Sequence, residues 1–458
     1  MLGGGPAGCA AARLLAQWGH QVCLVTSPAE RRSSLPESVP PSTRKLFDML
    51  GVAAAIESAN FVRSTGNTVW WGSDTPRVEY FADGQLGWQV TSERLAVILR
   101  DAARSAGVRF VQARPTIDEA LARQAPFVLD CTGRSGVVAR ARGLRVHEDS
   151  LRTVALVGLW HGASLPLPDA SHTLIESYEG GWAWSVPEAR GQRFVAVMVD
   201  PRTSDLARDV DARHIYLAEL RKTRRLAALV DSARLAQGPA GWDASMYHAT
   251  RYVDEQLLLV GDAGSFIDPL SSAGVQKALA SGWLAAVAVH TSLVRPHMRA
   301  TAMEFFQKRE TDVYESFRAM TRRSLAEAAS GHAHPFWIDR TEEDGSGVDQ
   351  QAARAAFERI RSSPILSLVA ARDVRMAPMP AVNGIEIVLE PRLVSDRHPR
   401  GIRYVFDVDL IALVRQAPAH TSVPDLFDAY NRGHAPVALP DFLAALSTAV
   451  AQKWLLWL

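Results

Sequence analysis

Residues 1–27 read MLGGGPAGCAAARLLAQWGHQVCLVTS, and this stretch decides the fold. Gly3, Gly5 and Gly8 make a GxGxxG turn, an Ala/Leu-rich amphipathic stretch follows, and Gln21–Val25 reads as a strand. In such a unit the first glycine makes the turn, the second lets backbone approach a pyrophosphate, and the third lets helix pack on strand. The helix start at Pro6 and Ala7 offers N–H groups and the positive end of the helix dipole to a phosphate. Two features depart from the pattern. A first strand usually has about 5–6 residues, yet only Met1 and Leu2 precede the glycines, so this strand is expected to be very short or cut short. Thr26 and Ser27 stand where an acidic residue would bind ribose hydroxyls, and the nearest carboxylate, Glu30, lies in the next loop.

The whole chain has 458 residues, with 50 Lys+Arg against 49 Asp+Glu and a net charge of +1. At roughly 150 residues per domain this allows about three domains. A near-neutral balance gives no global field to steer the protein to nucleic acid or an anionic membrane. The 3 cysteines are far apart and never form CxxC, which excludes a disulfide framework and a thiolate metal site and suits a reducing, cytoplasmic setting. No metal ligand set is expected. No run of about 18 uncharged apolar residues suggests a membrane span, and a signal peptide is not expected. The count of 12 Trp is high for such a chain.

Further along, Ser92–Gly107 is helical in period, and FVLDCTGRSG (127–136) and QLLLVGDAGSFIDP (256–269) are buried strands that end in polar turns. NTVWWG, RVEYFA, TVALVGLW, GGWAWSVP and RFVAVMVD read as strands between them, and GVQKALASGWLAAVAVHTSL (274–293) as an apolar helix. The expected division is a discontinuous dinucleotide-binding domain (1–60, 90–150 and 250–330) and a substrate domain (61–89 and 151–249). A linker (331–364) centred on the polar stretch RTEEDGSGVDQQ leads to a small C-terminal domain (365–458). The ending KWLLWL reads as a packed terminus.

Three segments narrow the reading. VLDCTGRSG resembles the Asp-x-x-Gly strand end of FAD-dependent monooxygenases, and LLLVGDAGSFIDPLSSAGVQKAL resembles their Gly-Asp segment. The resemblance implies bound FAD, with Asp262 at the ribityl chain and the turn Pro269–Val275 facing the isoalloxazine. Independently, Gly274 and Val275 begin a helix whose free N–H groups suit negative charge on reduced flavin. Within that superfamily residues 1–330 are similar to the flavin-dependent halogenases: GWAWSVP carries Trp182, Trp184 and Pro187 of their Trp-x-Trp-x-Ile-Pro segment, and LPESVPP carries Glu37 and Ser38. The resemblance thus implies a Rossmann-like FAD-binding fold with an interleaved β-sheet substrate domain, in an α/β chain whose tail from about residue 365, with two strand-like pieces and short helices, reads as a small winged-helix-like C-terminal domain.

The departures matter as much. Phenol-type halogenases carry a lysine that handles hypohalous acid just before a Gly-Ala-x-Phe-x-Trp-Gly strand. Here RSTGNTVWWGS puts Ser64 at that position, beside Arg63, and no lysine occurs between Lys45 and Lys222. Their Ser-Ser-Gly is altered to Ser272-Ala273-Gly274. Both changes favour hydroxylation of an electron-rich ring over halogenation. A lysine-free catalytic part with a C-terminal appendage resembles the flavoprotein monooxygenases of quinohemoprotein amine dehydrogenase biogenesis, which implies a tryptophan in a precursor polypeptide as substrate. An aromatic small molecule is the alternative substrate, halogenation the alternative reaction, and a non-catalytic escort protein the alternative class. Electrons are expected from a flavin reductase or NADH. Trp182 and Trp184 are expected to wall the reacting ring, with Trp70 and Trp71 on a neighbouring strand, and Glu37, His161 and His172 are the candidate bases.

Overall fold

The chain's parallel sheet is stitched together at its centre by a strand of minimal length. In the computed structural model, which describes residues 1–27, 36–114, 116, 125–189, 191–204, 206, 211–341, 350–363 and 365–458, Leu2 bridges both Val25 and Asp130 in parallel. Its N–H donates to Leu129 O at 2.9 Å, Gly3 N–H donates to Val25 O at 2.8 Å, and Leu2 O accepts from Cys131 N–H at 2.8 Å. These bonds join the pair Cys23–Thr26 and Arg109–Gln112 to the pair Val128–Asp130 and Leu257–Leu259. So short a strand suffices because its backbone groups find partners on both sides.

Helix Pro6–Gln17 packs against helices Ser92–Ser105 and Gly274–Val294. Close approach explains two glycines. A Cβ at Gly8 would lie 2.0 Å from Gly3 O, and one at Gly282 would lie 2.4 Å from Ala7 O. Gly274–Val294 is long and apolar enough to cross a membrane by length and composition, but 78% of its apolar window is buried in the structure. It is a core helix.

The interleaved layer is a seven-stranded sheet in the order Arg234–Asp243, Val154–His161, Gln192–Val199, Gly181–Glu188, Thr173–Tyr178, Gly66–Trp70 and Arg77–Tyr80. All neighbours are antiparallel except Gly66–Trp70 and Thr173–Tyr178. A three-stranded sheet, Pro36–Val39, Gly87–Thr91 and Val62–Ser64, adjoins it. Strand alternation sends Trp70 into one core with Trp160, Tyr178 and Tyr216, beneath helices Ala212–Lys222 and Arg225–Val230. Trp182, Phe194 and Met198 face the other core, which also holds Trp71, Tyr314 and Trp337.

The expected linker 331–364 needs correction. The division into compact units falls between Glu343 and Asp344, and the chain just before it is packed rather than free. Phe336 and Trp337 are buried, and Trp337 Nε1 donates to Tyr178 O at 2.9 Å and Glu179 O at 3.0 Å. Residues 342–349, most of the polar stretch, lie outside the described residues, as does Glu30. After them comes a helix, Gln350–Ser362, rather than linker. The second unit, Asp344–Leu458, has a hairpin, Arg375–Asn383 with Glu386–Val394, followed by helices Leu410–Gln416, Val423–Gly433 and Leu439–Ala451. Leu410, Leu426, Tyr430, Phe442 and Leu446 form its core. The chain ends in Leu455–Trp457, which pairs with Leu368–Ala370.

Candidate active site

The GxGxxG turn opens onto a cavity of about 660 Å³ lined by Gly3, Gly5, Pro6, Ala7, Thr26, Ser27 and Asp262. Three of its features come straight from local chemistry. Gly3 has φ +99°, and a Cβ there would lie 2.3 Å from Cys131 O, so only glycine fits the turn. A Cβ at Gly5 would meet nothing within 4 Å, which leaves backbone open to a ligand. The helix beginning at Pro6 has no side-chain cap, so its first N–H groups face the same space. Gly8 does not line the cavity but lies under the turn, where its missing side chain admits the Gly3 carbonyl.

Asp130, at the strand end of VLDCTGRSG, is fully buried and orders the turn that follows it. Its Oδ1 accepts from Thr132 N–H at 3.0 Å and Thr132 Oγ1 at 2.6 Å, and its Oδ2 accepts from Val138 N–H at 2.8 Å. Thr132 and Ser135 then line the cavity, together with Arg100 and Arg114, two cations that no motif in the sequence marked.

Pro6, Asp262 and Ala278 are shared with a second cavity of about 240 Å³. Glu37, Trp182, Trp184, Pro269, Gly274 and Val275 all line it, together with Trp242, Phe266 and Arg134. A Cβ at Gly274 would again meet nothing within 4 Å, at the start of an uncapped helix. Trp184 is half-buried, and its buried Nε1–H has no hydrogen-bond partner. Trp182 is only 2% exposed and meets Trp71 edge to face at 6.2 Å, so it serves the core as well as the wall.

Glu37 sits half-buried on strand Pro36–Val39. Burial pushes its carboxyl up to about 7; the Asp262 charge adds to the rise and Arg134 opposes it. Asp262 itself faces Lys277, whose Nζ lies 3.5 Å from Asp262 Oδ1 and donates to Ser265 O at 2.5 Å. Lys277 is buried behind the wall and does not line the cavity. Arg134 is the only cation among the described lining residues; it donates to Asp243 O at 3.0 Å and lies over Phe266.

A family model described as FAD binding domain matches residues 1–286. The chain belongs to that family. It is an FAD-binding flavoprotein of the halogenase-like superfamily, and the residues present could hold FAD: the glycine turn, Pro6, Ala7, Thr26 and Ser27 line a cavity that would take its ADP half, and Pro269, Gly274 and Val275 line one that would take its ring. Among curated relatives it is 27% identical over 336 residues to a tryptophan 2-halogenase from Chondromyces crocatus, covering 67% of this chain and 64% of that one. It is 26% identical over 365 residues to flavin-dependent halogenase armH1 from Armillaria mellea, covering 69% of each. The chain thus spans about two thirds of the length of these relatives. Two solved structures share its fold. The flavin-dependent halogenase CmlS has a TM-score of 0.84 at 19% identity, covering 99% of this chain and 94% of the other. The peptidyl tryptophan dihydroxylase QhpG has a TM-score of 0.63 at 24% identity, covering 97% and 96%.

The flavoprotein's sheet also removes several candidates. Trp70 points into the far core, because successive residues of a strand face opposite ways. Trp71 lines an adjoining chamber and not the flavin-ring cavity. His161 is exposed at a strand end, while His172 is buried outside the cavity with Nδ1 2.9 Å from Thr68 Oγ1. Ser64 is buried, its Oγ donating to Gly66 O at 3.1 Å. Arg63 does not replace the missing lysine, since it is tied to Glu57 and to Gly87 O and lies over Trp88.

Proposed function

We propose that this flavoprotein is a monooxygenase that hydroxylates an aromatic ring, an indole, carried on a precursor polypeptide. The observation that carries the reading is the composition of the ring cavity. Its described lining contains no lysine and instead a carboxyl that titrates near neutrality, Glu37. Both reactions release a ring proton, which Glu37 can accept; halogenation through hypohalous acid calls in addition for a lysine ammonium at the ring, which the described lining lacks.

Bound FAD supplies the two electrons and the activation of O2. One oxygen atom would enter the ring as a hydroxyl in place of a hydrogen that leaves as a proton, and the other would leave as water, with a net two protons and the two electrons completing the balance. The chain's own part is to hold the ring, exclude water and take the proton. Trp182, Trp184 and Trp242 give an apolar aromatic wall that positions a flat ring and keeps the site dry, a contribution of several kcal/mol to the barrier. Glu37, ionised above about pH 7, accepts the ring proton, a step that contributes roughly 10²–10⁴-fold. The start of helix Gly274–Val294 favours negative charge beside it. The fold shared with a peptidyl tryptophan dihydroxylase supports the polypeptide substrate.

Halogenation is the competing reading, favoured by the curated halogenase relatives. Mass spectrometry of an indole substrate incubated with enzyme, FAD, a flavin reductase, NADH, O2 and bromide separates the two. The expected product gains one or two oxygens and no bromine. A brominated indole would overturn the proposal.

A further inference from the structure

Beyond the flavin-ring cavity lies a third chamber of about 230 Å³, which shares Ser38, Ile175, Leu270 and Ser272 with it. Its described lining shares no residue with the first cavity, so the three chambers run in series. The first two match the two halves of FAD. A ring that reacts in the second extends its attached scaffold into the third.

The third chamber's chemistry selects that scaffold. Trp71, Val69 and Phe81 give it apolar contacts, and Asn67 and Ser324 give it polar ones. Its charge comes from Arg77, Glu79 and Glu327. Arg77 Nε donates to Glu79 Oε1 at 2.6 Å and Arg77 Nη1 donates to Glu327 Oε1 at 3.0 Å. One guanidinium therefore serves two carboxylates, and the described lining is left with a net negative charge and no other cation. In the neighbouring chamber the single lining cation, Arg134, is accompanied by Glu37, Asp262 and Asp268. A substrate carboxylate would meet uncompensated like charge in this third chamber, whereas amide groups find hydrogen-bonding partners and no repulsion.

We infer that this chamber is a substrate subsite that admits an aromatic ring on a neutral, amide-bearing scaffold, such as an internal peptide residue, and rejects free aromatic acids. The inference rests on the proposed reaction only for where the ring lies. It names a preference in binding that can be read without turnover.

The test is calorimetric binding to the FAD-loaded enzyme of three probes: N-acetyltryptophanamide, tryptophan and indole-3-acetate. The two carboxylates are expected to bind about ten-fold more weakly than the amide at low salt, with the gap narrowing as salt is raised. Glu327→Gln removes one of the two carboxylates, and its position is more than half exposed, so the fold tolerates the change. In that variant the ratio of acid to amide affinity should rise several-fold. Equal or tighter binding of indole-3-acetate by the unmodified enzyme would overturn the inference, as would an unchanged ratio in Glu327→Gln. Bromination of a bound amide would instead overturn the proposed reaction and leave the subsite standing.

Discussion

Replacing Glu37 with Gln tests the proton-accepting role directly. Burial raises this carboxyl from 4.5 to about 7, with Asp262 reinforcing the rise and Arg134 reducing it. A rise of that size corresponds to a penalty of about 3 kcal/mol on the ionised form. As a base Glu37 works only when ionised, so product formation should climb through an apparent pKa near 7 and at pH 6 reach about one tenth of its plateau. Glu37→Gln should lower the plateau by roughly 10²–10⁴-fold and abolish the climb. The assay is single-turnover product formation by mass spectrometry from about pH 5.5 to 9, chosen so that flavin reduction does not limit the rate. The same shift has a stability consequence of definite sign. The folded state keeps a proton that the unfolded chain gives up between pH 4.5 and about 7, so stability falls over that window as pH rises. Glu37→Gln should therefore stabilise the apoprotein at pH 8 and leave it unchanged at pH 4. A limb near pH 7 that persists in Glu37→Gln would refute the role of this residue, and equal effects on stability at both pH values would refute the shifted titration.

The glycine turn gives a paired expectation: Gly5→Trp should yield a folded, colourless protein that takes up no FAD, whereas Gly3→Ala should lower thermal stability, because its Cβ would lie 2.3 Å from Cys131 O. FAD absorbance and a melting curve distinguish the two, and unchanged flavin content in Gly5→Trp would sink the assignment of the loop. The two wall tryptophans should also differ. Trp184→Ala should reduce product formation more than FAD affinity. Trp182→Ala, at a position 2% exposed, should cost about 3–5 kcal/mol in stability, read by denaturant unfolding.

The glycine turn and helix starts that line the two cavities were legible because their chemistry is local. A turn at Gly3 needs a glycine whatever surrounds it, and a helix that starts at Pro6 or Gly274 exposes N–H groups by its own geometry. Arg100 and Arg114 were not legible, since they reach the first cavity from outside any motif. Arg134 lay inside the quoted TGRSG turn, and its place in the ring cavity only became visible once Phe266 and Glu37 were beside it. His172 and Arg63 show the opposite error: both looked available in sequence, and packing ties one to Thr68 and the other to Glu57.

What the sequence determined alone was the class of cofactor, the order of the segments that embrace it and the lack of a lysine between Lys45 and Lys222. Motif spacing encodes those features because backbone geometry repeats wherever the motif occurs. Which side chains face one another was decided only by tertiary structure. Trp70 and Trp71 are adjacent in sequence and bury against opposite cores. Glu37 and Trp184 are 147 positions apart, yet wall one cavity. Burial beside Asp262 also gives Glu37 its shifted titration. A pKa depends on the groups and the solvent around a carboxyl, and those are set by the folded chain as a whole.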